Sequence, residues 1–138
     1  MEEITNAEWE VMRVIWTLKQ ATSQEVITNL NQYNWQPATI KTLIGRLVKK
    51  GCLAVRRQKR PYVYYPLVAE NEAMDQAATN LFSHLCNMKK GHTLLTLINA
   101  TTLSQSDIVK LQTLLNQKAL SAPQEVACDC LRGRLEHE

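Results

Sequence analysis

Apolar positions in the first fifty residues recur at helical spacing in three separate blocks. In the first, Val11, Val14, Ile15 and Leu18 fall at i, i+3, i+4 and i+7, and Trp9, Met12 and Trp16 widen the stripe. Thr5 stands three residues before Glu8, the Thr-x-x-Glu arrangement in which a hydroxyl and a carboxylate satisfy free backbone N–H groups at a helix start. Thr22 and Glu25 repeat that arrangement and predict a short second helix with Val26, Ile27 and Leu30 inward. A third helix follows Pro37, a residue suited to the first helical position. Its stripe is Ile40, Leu43, Ile44, Leu47 and Val48, and Gly51 supplies a left-handed stop. The opposite face carries Thr39, Lys41, Thr42, Gly45, Arg46 and Lys49.

After Gly51 the period changes to two. Leu53 and Val55 alternate with Ala54 and Arg56, and Tyr62 to Val68 is rich in strand formers, with Gln58 to Pro61 as the turn between two strands. Pro66 suits the end of an edge strand. Three helices followed by a basic hairpin give the order of a winged helix-turn-helix, in which the third helix enters the major groove and the hairpin reaches the adjacent backbone. From Glu70 the pattern is helical again, with Met74, Ala77, Ala78, Leu81, Phe82, Leu85 and Met88 as a stripe and Lys89-Lys90-Gly91 as the stop. A short helix over 93–100 and a last one capped by Ser104 and Asp107, carrying Ile108, Leu111, Leu114 and Leu115, complete the ordered part. The fold class is therefore mainly α with a small β-hairpin. Residues 1–68 form a DNA-binding domain, 69–118 a helical dimerisation arm, and 119–138 a tail without period. The arm has no core of its own, so Leu81, Leu85, Leu111 and Leu115 are expected to cover one another across a homodimer seam.

Charge sharpens this division. The 138 residues carry a net charge of only +3, yet residues 1–68 hold ten Lys/Arg against five Asp/Glu, and 69–138 hold six against eight. No acidic residue lies between Glu25 and Glu70, whereas Lys41, Arg46, Lys49, Lys50, Arg56, Arg57, Lys59 and Arg60 all fall in that gap. Such a zone is the footprint of a polyanion-binding surface, with double-stranded DNA the first candidate and an anionic membrane surface the second. Thr39, Lys41, Thr42 and Arg46 are placed to read bases, and Lys49, Lys50, Arg57, Lys59 and Arg60 complete the DNA-binding set. No apolar run approaches the roughly 20 residues of a membrane span, and the acidic start lacks the order of a signal peptide, so a cytoplasmic location is expected. A Gly-rich phosphate loop, His-Glu-x-x-His and Cys-x-x-Cys are all missing, and the carboxylates cluster at helix starts; neither an enzyme nor a small-molecule substrate is expected.

The runs Ala7 to Trp16, Thr39 to Leu47, Lys49-Lys50-Gly51 and Tyr62 to Pro66 resemble the penicillinase-repressor (BlaI/MecI/CopY) family over about residues 4–118. That resemblance implies a bacterial winged-helix repressor that binds a palindromic operator as a homodimer. Cys128-Asp129-Cys130 is similar to the C-x-C element of the copper-responsive branch, which implies Cu(I) or Zn(II) as regulatory ligand and copper-homeostasis genes as targets. Many of those proteins carry two C-x-C elements in tandem, and this chain has one.

Soft thiolates select Cu(I) or Zn(II) over hard cations. Two sulfurs cannot close a tetrahedral zinc site, but two copies of Cys128 and Cys130 brought together by a dimer can. Cys52 and Cys86 are expected to be small core residues, and His84, His92 and His137 lack metal spacing. The rival reading within the family is a β-lactam-responsive repressor inactivated by proteolysis of the arm, where Asn99-Ala100 would stand at the cut site. That alternative leaves the C-x-C unexplained. The last four residues are assigned no function.

Overall fold

The computed structural model describes residues 2–131; His137 and the last four residues lie outside them. The chain divides into two compact units, Met1–Asn80 and Leu81–Glu138. In the first, helix α1 (Asn6–Leu18) is followed by a two-residue strand β1 (Ala21–Thr22), helix α2 (Ser23–Asn29) and a 3₁₀ turn (Asn31–Tyr33). Helix α3 (Pro37–Lys49) then leads into strands β2 (Leu53–Arg56) and β3 (Val63–Pro66). Both Thr-x-x-Glu capping boxes are formed, Thr5 with Glu8 and Thr22 with Glu25, and Pro37 opens α3. Gly51 has φ +82°, the left-handed conformation that turns the chain from α3 into the sheet at least cost to a residue without a Cβ.

The core is made by the stripes the periodicity marks out: Val11, Met12 and Ile15 of α1, Val26 of α2, and Ile40, Ile44 and Leu47 of α3 are at most 2% exposed. Cys52 and Leu53, at the start of β2, join the same core. Trp9 and Trp16 pack with ring centroids 5.6 Å apart, and the Trp16 indole N–H donates to the Val68 carbonyl at 2.8 Å. The sheet is antiparallel in the order β1-β3-β2. The strand ending in Pro66 is thus central and not an edge. Because β1 pairs only with Val63 and Tyr64, Pro66 lies beyond its reach and its missing N–H leaves no bond unmade on that side.

Helix α4 (Glu70–Ser83) begins within the first unit, where Ala73 is 2% exposed against the core, so that unit extends past the expected end at residue 68. The helix stops at Ser83 and does not continue to a Lys89-Lys90-Gly91 stop. A 3₁₀ turn (Asn87–Lys89) follows, and Lys90 and Gly91 instead open helix α5 (Lys90–Ala100). Ser83, His84, Cys86 and Asn87 are all weak helix formers, Cys86 is extended at φ −63°, ψ 125°, and the Asn87 N–H is held by the Asp129 carboxylate at 2.9 Å. Helix α6 (Gln105–Ala119) starts at a capping box between Ser104 and Asp107. Among the described residues from Leu81 onward no large apolar side chain is buried: Leu81 is 59% exposed and Leu115 54%, with Leu85 and Leu111 half-buried.

Candidate nucleic-acid interface and thiol cluster

Because Ile40, Leu43, Ile44 and Leu47 turn inward, Thr39, Lys41, Thr42, Arg46 and Lys49 are left on the solvent side of α3, all exposed. The Thr42 hydroxyl donates to the Ala38 carbonyl at 3.0 Å. Gly45 sits among them in ordinary helical backbone, and a Cβ there would meet nothing within 4 Å. A mid-helix glycine costs about 1 kcal/mol against alanine, and no packing among the described residues requires it. Arg57, Lys59 and Arg60 are exposed in the turn between β2 and β3. The wing and α3 share one cleft, lined by Lys41 from the helix and Arg60, Tyr62 and Tyr64 from the hairpin, with Ser23 at the start of α2. Arg60 lies over the Tyr62 ring and Arg56 over the Tyr65 ring, 5.1 and 4.9 Å from the centroids, which stiffens the basic hairpin.

One residue of the expected set belongs elsewhere. Lys50 is committed to the fold: its ammonium donates to the Glu8 carboxylate at 2.6 Å and to the Glu3 carbonyl at 2.8 Å. Glu8 is fully buried, and its second oxygen, Oε2, has no hydrogen-bond partner among the described residues. Burial pushes the Glu8 carboxyl upward, but the hydrogen bond and charge of Lys50 and the Thr5 N–H together outweigh it and hold the group below its ordinary value. The sequence signal was present: Glu8, Val11, Met12 and Ile15 fall at i, i+3, i+4 and i+7, which puts the carboxylate on the inward stripe.

The second cluster lies in the C-terminal unit. Cys128 and Cys130 are accompanied by Cys86, and the three sulfurs lie within 4.8 Å of one another. Cys86 is half-buried beside them and is not a core residue, because α4 ends before it. The Cys86 thiol donates to the Cys128 sulfur at 3.7 Å and the Cys130 N–H to the same sulfur at 3.4 Å. A hydrogen bond from Cys130 favours the Cys86 thiolate, against the cost of desolvation, with Cys128 and the N–H groups of Met88 and Lys89 adding to it; its pKa is lowered. Cys130 is pushed up to about 11, chiefly by its hydrogen bonds to Cys128 and Cys86. Thiols this close release protons in sequence, the first easily and the later ones against the charge already formed. Cys52, fully buried, is the small core residue expected, and burial raises its thiol pKa. Among the described residues no helix is long and apolar enough to cross a membrane.

Known proteins supply a frame for these features. The penicillinase repressor family profile matches residues 4–117. An uncharacterized 16.5 kDa protein from the ptsI 3′ region of Latilactobacillus sakei is 54% identical over 99% of this chain and 94% of its own length. The methicillin resistance regulatory protein MecI of Staphylococcus aureus is 35% identical over 84% of this chain and 95% of its own. A solution structure of monomeric BlaI from Bacillus licheniformis with the blaP half-operator is 40% identical, covering 51% of this chain and 88% of that one, with a TM-score of 0.45.

Proposed function

This chain belongs to the penicillinase repressor family, and from that premise we propose that it is a transcriptional repressor that binds a palindromic DNA operator as a homodimer and releases it when Cu(I) occupies C-terminal cysteines. The observation that carries the DNA reading is that exposed Thr39, Lys41, Thr42, Arg46 and Lys49 of α3 and exposed Arg57, Lys59 and Arg60 of the wing come from one stretch of chain without an acidic residue, with Lys41 and Arg60 lining the same cleft. Arginine and lysine pair with guanine O6 and N7, and a threonine methyl packs on thymine. The wing cations supply phosphate neutralisation, which is independent of sequence.

The dimer reading rests on α4 to α6, whose exposed Leu81, Leu94, Leu97, Leu114 and Leu115 have no cover within the described chain. Copper-homeostasis genes are the targets that the thiol cluster favours, since soft sulfur ligands select Cu(I) or Zn(II). The relatives named as methicillin and penicillinase regulators keep a β-lactam-responsive repressor, cut in its arm, as the second reading. Clustered thiols have no part in that alternative.

Selection of bound duplexes from a random pool tests the DNA reading, with enrichment of a palindrome the expected result. On the selected duplex, Arg46→Ala costs about 1–3 kcal/mol and relaxes preference at one position of each half-site, while Arg57→Ala or Lys59→Ala weakens binding to all sequences and lowers the salt slope by about one. Equal loss on selected and random DNA for Arg46→Ala removes α3 from base recognition.

A further inference from the structure

We propose that Cys86 is the third ligand of a soft-metal site built within one chain, in which Cys86, Cys128 and Cys130 together hold a single Cu(I) ion. The inference rests on the reading of Cys128 and Cys130 as metal ligands and changes what that site is: complete in each subunit, and not closed by sulfurs from a second copy. Sulfurs about 2.3 Å from an ion at the centre of a trigonal array are about 4 Å apart. Cys86 and Cys128 stand at 3.7 Å, and all three sulfurs fall within 4.8 Å, so a trigonal ion requires movements of under an ångström.

The array is held by something other than the thiols. Asp129, between the two tail cysteines, accepts the Asn87 N–H at 2.9 Å. That bond fixes the register of the Cys128-Asp129-Cys130 run against the turn beginning at Cys86, so the ligands are brought together across 42 residues of chain before any ion arrives. It also engages an Asp129 oxygen that could otherwise have been a hard ligand. Among the described residues no histidine joins the group. Three sulfurs with no fourth ligand among the described residues suit a soft monovalent ion of low coordination number, whereas a structural zinc site requires four ligands. On binding, each thiol gives its proton to solvent as its sulfur bonds to copper, and copper stays Cu(I), so no oxidant or reductant enters the step. The ion would join the α4–α5 connection to the segment after α6, two places already brought together by the Asn87–Asp129 hydrogen bond and the thiol contacts.

The test uses the full chain, reduced and anaerobic, titrated with Cu(I) against a chromophoric Cu(I) chelator, with X-ray absorption at the copper edge. The expected result is one copper per chain with three sulfurs at about 2.3 Å. Outer partners of metal ligands alone are worth about 10–100-fold in affinity, so Cys86→Ser is expected to weaken binding by about 100-fold or more. Two or four sulfurs per copper, or one copper per two chains, overturns the site whether or not the variant folds. Unchanged affinity in a folded Cys86→Ser protein does the same and leaves the Cys128 and Cys130 reading standing. Wild-type protein that binds no Cu(I) overturns both.

Discussion

Lys50→Ala is expected to lower the unfolding free energy by about 3–5 kcal/mol, because it leaves the Glu8 carboxylate buried without its counter-charge. The carboxylate cannot turn to water: it is fully buried, one oxygen is bound to the Thr5 N–H, and the other has no partner even in the wild type. For comparison, a surface ion pair such as that between Arg13 and Glu10 is worth at most about 1 kcal/mol. The pH dependence has a definite sign. In the wild type Glu8 titrates below its ordinary value of 4.5, so its stabilisation is complete above that pH and is lost as pH falls through the lower folded value. In Lys50→Ala burial remains and the lysine's opposing contributions are gone. The folded carboxyl then titrates higher than in the wild type, so the variant's deficit is largest at neutral pH and shrinks on acidification. Urea unfolding at pH 7 and pH 3.5, followed by tryptophan fluorescence, measures both; a constant difference between the proteins contradicts the assignment.

Leu81→Asp combined with Leu115→Asp is expected to produce a folded monomer that has lost about 100- to 10,000-fold in affinity for the palindrome. Each leucine covered across a dimer contributes about 1.5–3 kcal/mol of burial, and a charge in its place must be desolvated for the seam to form. The winged-helix core contains neither residue, so helix content and unfolding of that unit should persist. Linking two half-sites makes the second contact intramolecular, and that advantage disappears with the dimer, while affinity for an isolated half-site stays near that of one wild-type subunit. Sedimentation of the wild type as a monomer at micromolar concentration removes the dimer from the account.

How far the sequence carried these conclusions depended on whether the signal was local. Capping at Thr5, Thr22 and Ser104 involves partners three residues apart, and all three boxes are found. The stripe of α3 declares both its buried side and its basic side, because a helix that packs one face must present the other. Strand β1 escaped notice since two residues show no period; Ala21 and Thr22 are strand only because they pair with Tyr64 and Val63. Lys50 looked like one more cation in a basic run, and only the tertiary fold sets it against Glu8, 42 positions away. Cys86 was hidden by a stripe that continues in sequence past the point where the helix ends. No glycine or proline marks that break, and the bond holding it open comes from Asp129, in the segment read as a tail.

The most direct measurement is fluorescence anisotropy of the selected palindromic duplex bound to the reduced, full-length protein, followed as Cu(I) is added without oxygen. Tight binding without copper is expected, stronger than to a random duplex of equal length, with release as copper reaches one ion per chain. Binding that is unchanged through two equivalents of Cu(I) would contradict the copper-responsive repressor proposed here.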